Sequence, residues 1–284
     1  MFFRVFCLIL LLGLQTAAWA APALALATLV DGEAVLVRQT SRLTLTPGVR
    51  LAAFDLIETA ASTTLVRLEF ADGTVADLGP DTRAMMAPSL AAGSRRRQAA
   101  LYLLSGWVKL SASPAQPATT NALISAAFDL SGLSGNTVVL VQSRLSQIFV
   151  ESGAATVTEI NAGKSSSALP VKQGGYFSKG GSEKASLSAR PPSVFLAEVP
   201  RAFLDPVPLR ASAFKDRPEP AAKPLGRLAY AQAKPWLGAE MALRNTLVKL
   251  WQDSLDANLR TGLADNIQSH PEWRSVLFPD KISQ

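Results

Sequence analysis

Few residues in this sequence could do acid–base or nucleophilic chemistry. His270 is the only histidine and lies near the C-terminus, in "SHPEW". A Ser-His-Asp triad in the first two thirds of the chain would therefore require the C-terminal tail to fold back onto it. The position of His270 before Pro271 is more typical of a helix end, where a histidine interacts favourably with the helix dipole.

Two further catalytic patterns are equally weak. Ser212 and Lys215 match the Ser-x-x-Lys pattern of penicillin-interacting enzymes, but the companion Ser-Asp-Asn and Lys-Thr-Gly motifs are absent from the sequence. Glycosidases need two carboxylates across a cleft. No spacing singles out a pair among the candidates Glu58, Asp72, Asp77 and Glu151. We expect no catalytic residue and a protein that is not an enzyme.

Metal and cofactor sites are not indicated either. Structural and catalytic zinc sites use several Cys or His ligands, and the chain has one cysteine, Cys7, and one histidine. Asp72 and Asp81 do not reproduce a recognised calcium loop. The prediction is therefore no metal and no cofactor.

The N-terminus has the pattern of a secretory signal peptide. Residues 1–20, "MFFRVFCLILLLGLQTAAWA", place one cation, Arg4, before an apolar run that ends in Ala18-Trp19-Ala20, a small-x-small cleavage pattern. Gln15 interrupts the run, which is shorter than the roughly 20 residues of a membrane-spanning helix. Cleavage would remove Cys7. We expect a periplasmic protein without a transmembrane helix after signal removal.

Length, composition and charge limit the class of protein. The 284 residues are 48% hydrophobic, with a formal net charge of +6. This composition supports one mid-sized domain with a substantial core and a smaller appendage. The basic residues are scattered, and export separates the protein from nucleic acid, so we do not expect nucleic-acid binding.

One basic run could bind an acidic partner. Arg95, Arg96 and Arg97 follow a glycine in "AAGSRRRQAA" and are interpreted as an exposed loop tip. Tryptophans could stack on sugars if they were exposed, but Trp107 and Trp251 lie in apolar patterns typical of a core. An envelope protein is the expected partner, with a glycan as the alternative.

The elements that must position any site are mainly strands. From about residue 28 to 187, apolar residues alternate with period two, as in "EAVLVRQ" and "NTVVLVQS", and turn signals recur. No long amphipathic helix interrupts this pattern. It predicts a mainly β domain of short stacked antiparallel strands, sandwich-like or roll-like, over residues 21–187. The predicted turns that define this fold contain Gly32, Gly48, Asp55, Asp72, Gly73, Gly79 and Pro80.

The order of short motifs resembles the FecR-type periplasmic domain over about residues 28–187. The matching pieces are "GEAV" at 32–35, "LTPG" at 45–48, "DLIET" at 55–59, "FADGT" at 70–74 and "LGPDT" at 78–82. "LLSGWVKLSA" and "FVESGAATVTEI" resemble later strands of that family. Phe54 and Ala60 replace its usual glycines, so that turn is expected to differ in detail.

This resemblance implies a sensing or docking module. Family members that regulate iron uptake carry a cytoplasmic segment that holds a sigma factor, followed by a membrane helix. Here only the signal peptide precedes the β-domain, so the resemblance does not extend to an anti-sigma segment. The expected function is an exported, non-catalytic protein-interaction or sensory module of the bacterial envelope. A glycan- or peptidoglycan-binding protein is the alternative.

The last third of the chain differs from the β-domain in composition and in its apolar pattern. Residues 188–227 are rich in proline, which predicts an extended segment, but Phe195, Phe203 and other apolar residues predict that it packs on the β-domain. Residues 228–284 are predicted to be helical. Leucines spaced by four from Leu243 to Leu263, with Trp251 on the same stripe, predict one helix over roughly 238–261.

If the signal peptide is cleaved as predicted, the mature protein begins at Ala21. The small-x-small pattern at 18–20 determines this position. Intact-mass spectrometry of the exported protein measures it directly, and a mass that retains residues 1–20 would contradict the periplasmic assignment.

Overall fold

A computed structural model describes residues 23–92, 95–112, 121–161, 164–181 and 183–279. The predicted signal peptide lies outside these residues. The described strands are β1 Ala25–Asp31, β2 Ala34–Arg38, β3 Ser41–Thr44, β4 Arg50–Leu51, β5 Leu56–Thr59, β6 Leu65–Phe70, β7 Val75–Leu78, β8 Arg83–Met86, β9 Ser89–Ala92, β10 Arg95–Ser111, β11 Asn121–Ile124, β12 Phe128–Ser134, β13 Asn136–Val141, β14 Leu145–Val150, β15 Ala154–Asn161, β16 Lys164–Lys172, β17 Tyr176–Gly180, β18 Ser186–Ser188 and β19 Pro224–Arg227.

The helices lie in the last third of the chain, and the first of them precedes the last strand, β19. They are α1 Ser193–Glu198, α2 Tyr230–Leu237, α3 Met241–Trp251, α4 Ala257–Asp265 and α5 Arg274–Leu277. Short 3-10 turns occupy Arg201–Phe203, Ala211–Phe214, Gln252–Ser254 and Pro271–Trp273. The predicted mainly β fold class, with a helical C-terminal region, is confirmed.

The strands form a curled sheet with two leaves. Leaf 1 has the order β4-β1-β6-β7-β10-β13-β14-β17-β18, and leaf 2 the order β19-β3-β2-β5-β8-β10-β11-β12-β15-β16. Neighbours pair antiparallel except β10 and β11, which are parallel. Strand β10 belongs to both leaves, so it holds them together.

Gly106 is the point at which β10 passes from one leaf to the other. Residues before it pair with β8 and β11, whereas Gly106 and the residues after it pair with β13, and from Val108 onward also with β7. Gly106 has a φ of +97°, and a Cβ there would overlap the Cα of Thr82 and come within 2.7 Å of the Asp81 carbonyl oxygen. The bend therefore requires glycine on both conformational and steric grounds.

The main core lies between the leaves. Alternate residues of β6, β8 and β10, including Val66, Leu68, Ala84, Leu101 and Leu103, point into it and are fully buried. The intervening residues of the same strands face outward and are also largely buried. Both outer faces of the sheet are therefore covered by the last third of the chain.

The proline-rich segment covers the outer face of leaf 1. Phe195 of α1 and Phe203 pack with Leu65, Val138 and Leu140 of the leaf, and with Tyr176. Part of the segment is helical rather than extended, because residues 193–198 and 201–203 contain no proline and can form short turns. We call residues 193–217 the strap.

The C-terminal helices cover the outer face of leaf 2. Trp236, Leu247, Trp251, Leu263 and Trp273 are buried together with strand residues. The strand residues in this cluster are Val37, Leu56, Met85, Leu90, Tyr102 and Ile124. The helices therefore complete a layer of the fold and have few apolar side chains left for solvent.

The single helix predicted over 238–261 is wrong in extent. The chain forms α2, α3 and α4 instead, with breaks at Gly238–Glu240 and at Leu255. Asp256 caps α4, because its carboxylate accepts a hydrogen bond from the Leu259 backbone N–H at 2.9 Å. Pro271, which follows His270, begins a 3-10 turn. No helix of the described residues is long and apolar enough to cross a membrane.

Backbone turns lie at or beside the predicted turn residues, and the hairpin at Asp72-Gly73 differs from the type I′ turn that is typical of an Asp-Gly pair. A type I′ turn at Asp72-Gly73 needs positive φ at both residues, but only Gly73 has it, at +84°. Gly73 N–H bonds to the Phe70 carbonyl and Phe70 N–H to the Thr74 carbonyl, which is a three-residue loop with a glycine bulge. Phe54, at a position where the resembling FecR-type domains have a glycine, also has a positive φ, of +66°.

Replacing Gly106 by alanine should destabilise the fold much more than the same change at Gly226, which has a φ of +105° and open space where a Cβ would lie. Both glycines have positive φ, which costs alanine about 1 kcal/mol, but only Gly106 also faces backbone atoms that a Cβ would overlap. We expect a loss of at least about 3 kcal/mol for Gly106→Ala. Urea unfolding of the two variants measures the difference, and equal losses would contradict the role of Gly106 as the joint.

Candidate functional site

The predicted arginine run is part of a strand and not a loop tip. Arg95 to Arg97 begin β10 and pair with β9. Arg96 is exposed and its guanidinium lies 3.4 Å from Ser89 Oγ. Arg97 points to the opposite face and is only 9% exposed. Strand alternation therefore separates neighbouring arginines that the sequence interpretation had grouped together.

Arg97 is the centre of a buried charge cluster. Its Nε lies 3.0 Å from Asp129 Oδ1, its Nη2 2.6 Å from the Ser125 carbonyl oxygen, and its Nη1 3.1 Å from Glu240 Oε1. Burial opposes the charge of Arg97, but the hydrogen bond and negative charges of Asp129 and Glu240 leave its pKa raised. Burial raises the pKa of Glu240, and the positive charge of Arg97 partly offsets this rise.

This cluster joins the helical layer to leaf 2. Asp129 belongs to β12, whereas Glu240 is the residue that precedes α3. The guanidinium of Arg97 therefore binds groups inside the protein and is not available to a partner. The expectation that the whole run is exposed is wrong at Arg97. For Arg96, partner binding stays a prediction.

The predicted turn residues serve the fold. Asp55 is buried and accepts hydrogen bonds from the Arg38 guanidinium and from the Ala52 N–H. Asp72 accepts from the Thr74 N–H at 2.8 Å. Gly32 and Gly48 have φ of +112° and +97°, while Gly79 and Pro80 lead into the turn before β8. Each role is structural.

Polar side chains of leaf 1 fix the strap. Arg67 of β6 forms a paired contact with Asp77 of β7, with both nitrogen–oxygen distances at 2.7 Å. The same guanidinium donates to the Val207 carbonyl through Nη1. Both side chains of this ion pair are at least nine-tenths buried, so the strap lies over a salt bridge that it helps to satisfy.

Glu69 makes the second attachment. This buried carboxylate of β6 accepts backbone N–H groups of Arg210 and Ala211, at 2.8 and 2.9 Å, and the Thr28 hydroxyl at 2.7 Å. Its position two residues after Arg67 puts both groups on the same outer face of the strand. Arg67 thus binds a carbonyl group of the strap, and Glu69 binds two of its amide groups.

The third attachment combines a lysine with aromatic packing. Lys109 Nζ donates to the Phe203 carbonyl at 2.6 Å and pairs with Glu151 at 2.7 Å. The Phe195 ring of α1 lies 5.5 Å from the Trp107 ring and 5.2 Å from the Tyr176 ring, centroid to centroid. These contacts hold the strap at its first half as well as at its second.

The outer side of the strap exposes large apolar side chains. Seven such residues are more than 40% exposed among the described residues, and five lie between positions 187 and 209. The five are Leu187, Val194, Leu196, Leu204 and Leu209, with exposures from 50% to 67%. We call Val194, Leu196, Leu204 and Leu209 the strap surface.

The residues of the catalytic patterns lie in different parts of the fold. Ser212 and Lys215 are exposed at a 3-10 turn. His270 is buried in the helical layer, its Nε2 lies 2.9 Å from Tyr230 Oη, and burial lowers its pKa. In the described part of the chain, no three His, Cys, Asp or Glu side chains form a group suited to a metal ion.

Sequence reasoning missed the three strap attachments. Arg67, Glu69 and Lys109 occur in otherwise apolar strands, which is a usable signal, because a charged residue in a two-sided buried strand needs a partner. Their partners are backbone groups 94 to 142 residues away, and no local pattern identifies these.

Comparison with known proteins gives a weak structural similarity. Two crystal structures of a "putative anti-sigma factor" from Parabacteroides distasonis ATCC 8503 match with TM-scores of 0.37 and 0.36 and identities of 14% and 13%. Each match covers 48% of this chain and 59% of the other. No family model and no curated protein matches the chain. The FecR-type resemblance therefore stays a prediction.

Glu69→Gln should loosen the strap at its second half. The change removes the charge that strengthens the bonds to Arg210 and Ala211, each worth about 1.5–3 kcal/mol when charge-assisted. We expect trypsin to cleave after Arg210 and Lys215 at least about tenfold faster than in the wild type. Glu33→Gln, at an exposed position, is the matched control; equal cleavage in all three proteins would contradict the attachment.

Proposed function

We propose that this protein is an exported, non-catalytic interaction module of the bacterial envelope that binds a protein partner through the strap surface. The observation that carries the proposal is the concentration of exposed large apolar side chains on the strap. Apolar side chains gathered on one surface segment are typical of a protein–protein interface.

The anchoring of the strap supports this function. An apolar segment held only at its ends would collapse onto the sheet or remain disordered. Here Phe195 and Phe203 are buried, Lys109 binds the Phe203 carbonyl, and Glu69 binds the amides of Arg210 and Ala211. The four exposed residues are therefore presented in a fixed arrangement, which lowers the entropy lost on binding a partner.

The glycan-binding alternative has less support. Sugar recognition commonly uses exposed aromatic rings, but Trp236, Trp251 and Trp273 are buried in the helical layer, and Trp107 packs beneath Phe195. Within the described ranges, no aromatic residue belongs to the set of exposed large apolar side chains. Export to the periplasm remains part of the proposal and rests on residues 1–20.

Site-specific photocrosslinking in the native envelope tests the proposal. A benzophenone amino acid placed at Leu204 or Leu209 should give one defined adduct with a second protein, because both positions are 65% exposed or more. The same probe at Met241, 50% exposed but on the helical layer, is the matched control.

The Leu204→Ser Leu209→Ser double variant provides the complementary result. It should lose the adduct formed by a probe at Val194. Its unfolding temperature should stay close to that of the wild type, because both leucines are largely exposed. Absence of any adduct from the strap positions, or identical adducts from Met241, would contradict the proposed surface.

A further inference from the structure

A large cleft lies away from the strap, where the two leaves and the helical layer meet. Its volume is about 800 Å³, within the range of small-molecule sites. Strands β8 and β10 form one wall, the β13–β14 turn and β17 another, and the segment between α2 and α3 a third. Three separate parts of the chain thus meet around one space.

Three polar groups of residues that line this cleft have no hydrogen-bond partner within the described residues. They are Tyr102 Oη, Ser105 Oγ and Arg83 Nε, and all three atoms are buried. Arg83 Nε lies 3.8 Å from Glu58 Oε1, too far for a hydrogen bond. Tyr102 is completely buried as a residue.

These groups come from neighbouring backbone positions. Ser105 of β10 pairs directly with Arg83 of β8, and Tyr102 pairs with Met85 on the same two strands. A buried polar group without a partner costs about 1–3 kcal/mol. Because the residues that carry these three groups line one cleft, a bound molecule that reached and satisfied them would remove a substantial penalty.

The chemistry of the lining favours an anion. The cations Arg83, Arg144 and Lys179 line the cleft, against one carboxylate, Glu240, which is already paired with Arg97. Arg83 also forms an ion pair with Glu58 at 3.8 Å, outside the lining, so Arg144 is the cation of the lining without an ion-pair partner among the described residues. Lys179 is buried, and its Nζ donates to Glu159 Oε1 at 2.6 Å. Its contribution to the cleft is therefore its positive charge and not an unused hydrogen-bond donor. Burial, and then the charge of Glu240, raise the pKa of Tyr102, which therefore remains a neutral O–H donor.

We propose that this cleft binds a small carboxylic acid with a second oxygen acceptor, the carboxylate held at Arg83 and Ser105 and the second oxygen accepting a hydrogen bond from the Tyr102 hydroxyl. The guanidinium and two hydroxyls supply donors for both groups. The α2–α3 segment, with Gly238 and Ala239, closes the cleft from the helical side. This site is built from residues other than the strap surface and does not depend on its function.

Calorimetric titration of the full mature protein tests the site. The probes are lactate, glycerate, gluconate, glucuronate and N-acetylmuramate, each paired with its neutral methyl ester. We expect at least one acid to bind at least tenfold more tightly than its ester. Tyr102→Phe and Arg83→Gln should each weaken that binding about tenfold or more. Tyr176→Phe, a tyrosine beneath the strap, is the matched control and should leave it unchanged.

The melting temperatures of the unliganded variants distinguish a loss of binding from a loss of folding. Tyr102→Phe should melt at or above the wild-type temperature, because its hydroxyl makes no hydrogen bond to the described protein. The proposal is overturned if no acid binds more tightly than its ester. It is also overturned if the binding survives unchanged in Tyr102→Phe and Arg83→Gln.

Discussion

Both faces of the central strands are buried, and the rest of the structure follows from this constraint. In β6, Val66 and Leu68 face the core between the leaves, while Leu65, Arg67 and Glu69 face the strap. A two-leaved sheet buries only its inner faces by itself. The outer faces also carry large apolar side chains, such as Leu65, Met85 and Tyr102, so they require cover, and the last third of the chain supplies it on both sides.

The two covers solve different physical problems. The helical layer is attached mainly by apolar packing around Trp236 and Trp251, with the Arg97 cluster as its polar contact. The strap is too thin to bury a large area, so charged side chains of the sheet bind its backbone directly. This attachment satisfies buried charges and strap amides together. It leaves the outward side chains of the strap free to contact another molecule.

The sequence predicts the strands well because period-two alternation is a local signal. "TTLVRLEF" already lacks a clean polar face, which is consistent with burial on both sides. The helix prediction fails at Asp256, because leucines spaced by four continue across a capped break and obscure it. The Asp-Gly signal locates the hairpin but not its type, since a bulged loop needs positive φ at Gly73 alone.

The candidate sites depend on contacts that the sequence does not reveal. Arg97 looks solvent-exposed beside two other arginines, yet its partners Asp129 and Glu240 lie 32 and 143 residues away. The cleft likewise joins Arg83, Ser105 and Glu240 from three regions of the chain. Long-range pairing of strands creates both arrangements, and only local pairing is readable from a single sequence.

Amide hydrogen exchange of the full mature chain tests most directly the central claim, that the strap is a fixed part of the fold. The Arg210 and Ala211 amides, which bond to Glu69, and the Phe203 amide within its turn are the informative positions. The account predicts exchange at these amides at least about a hundredfold slower than in an unstructured chain. Exchange at the unstructured rate would contradict the claim, because the exposed leucines would then belong to a flexible tether.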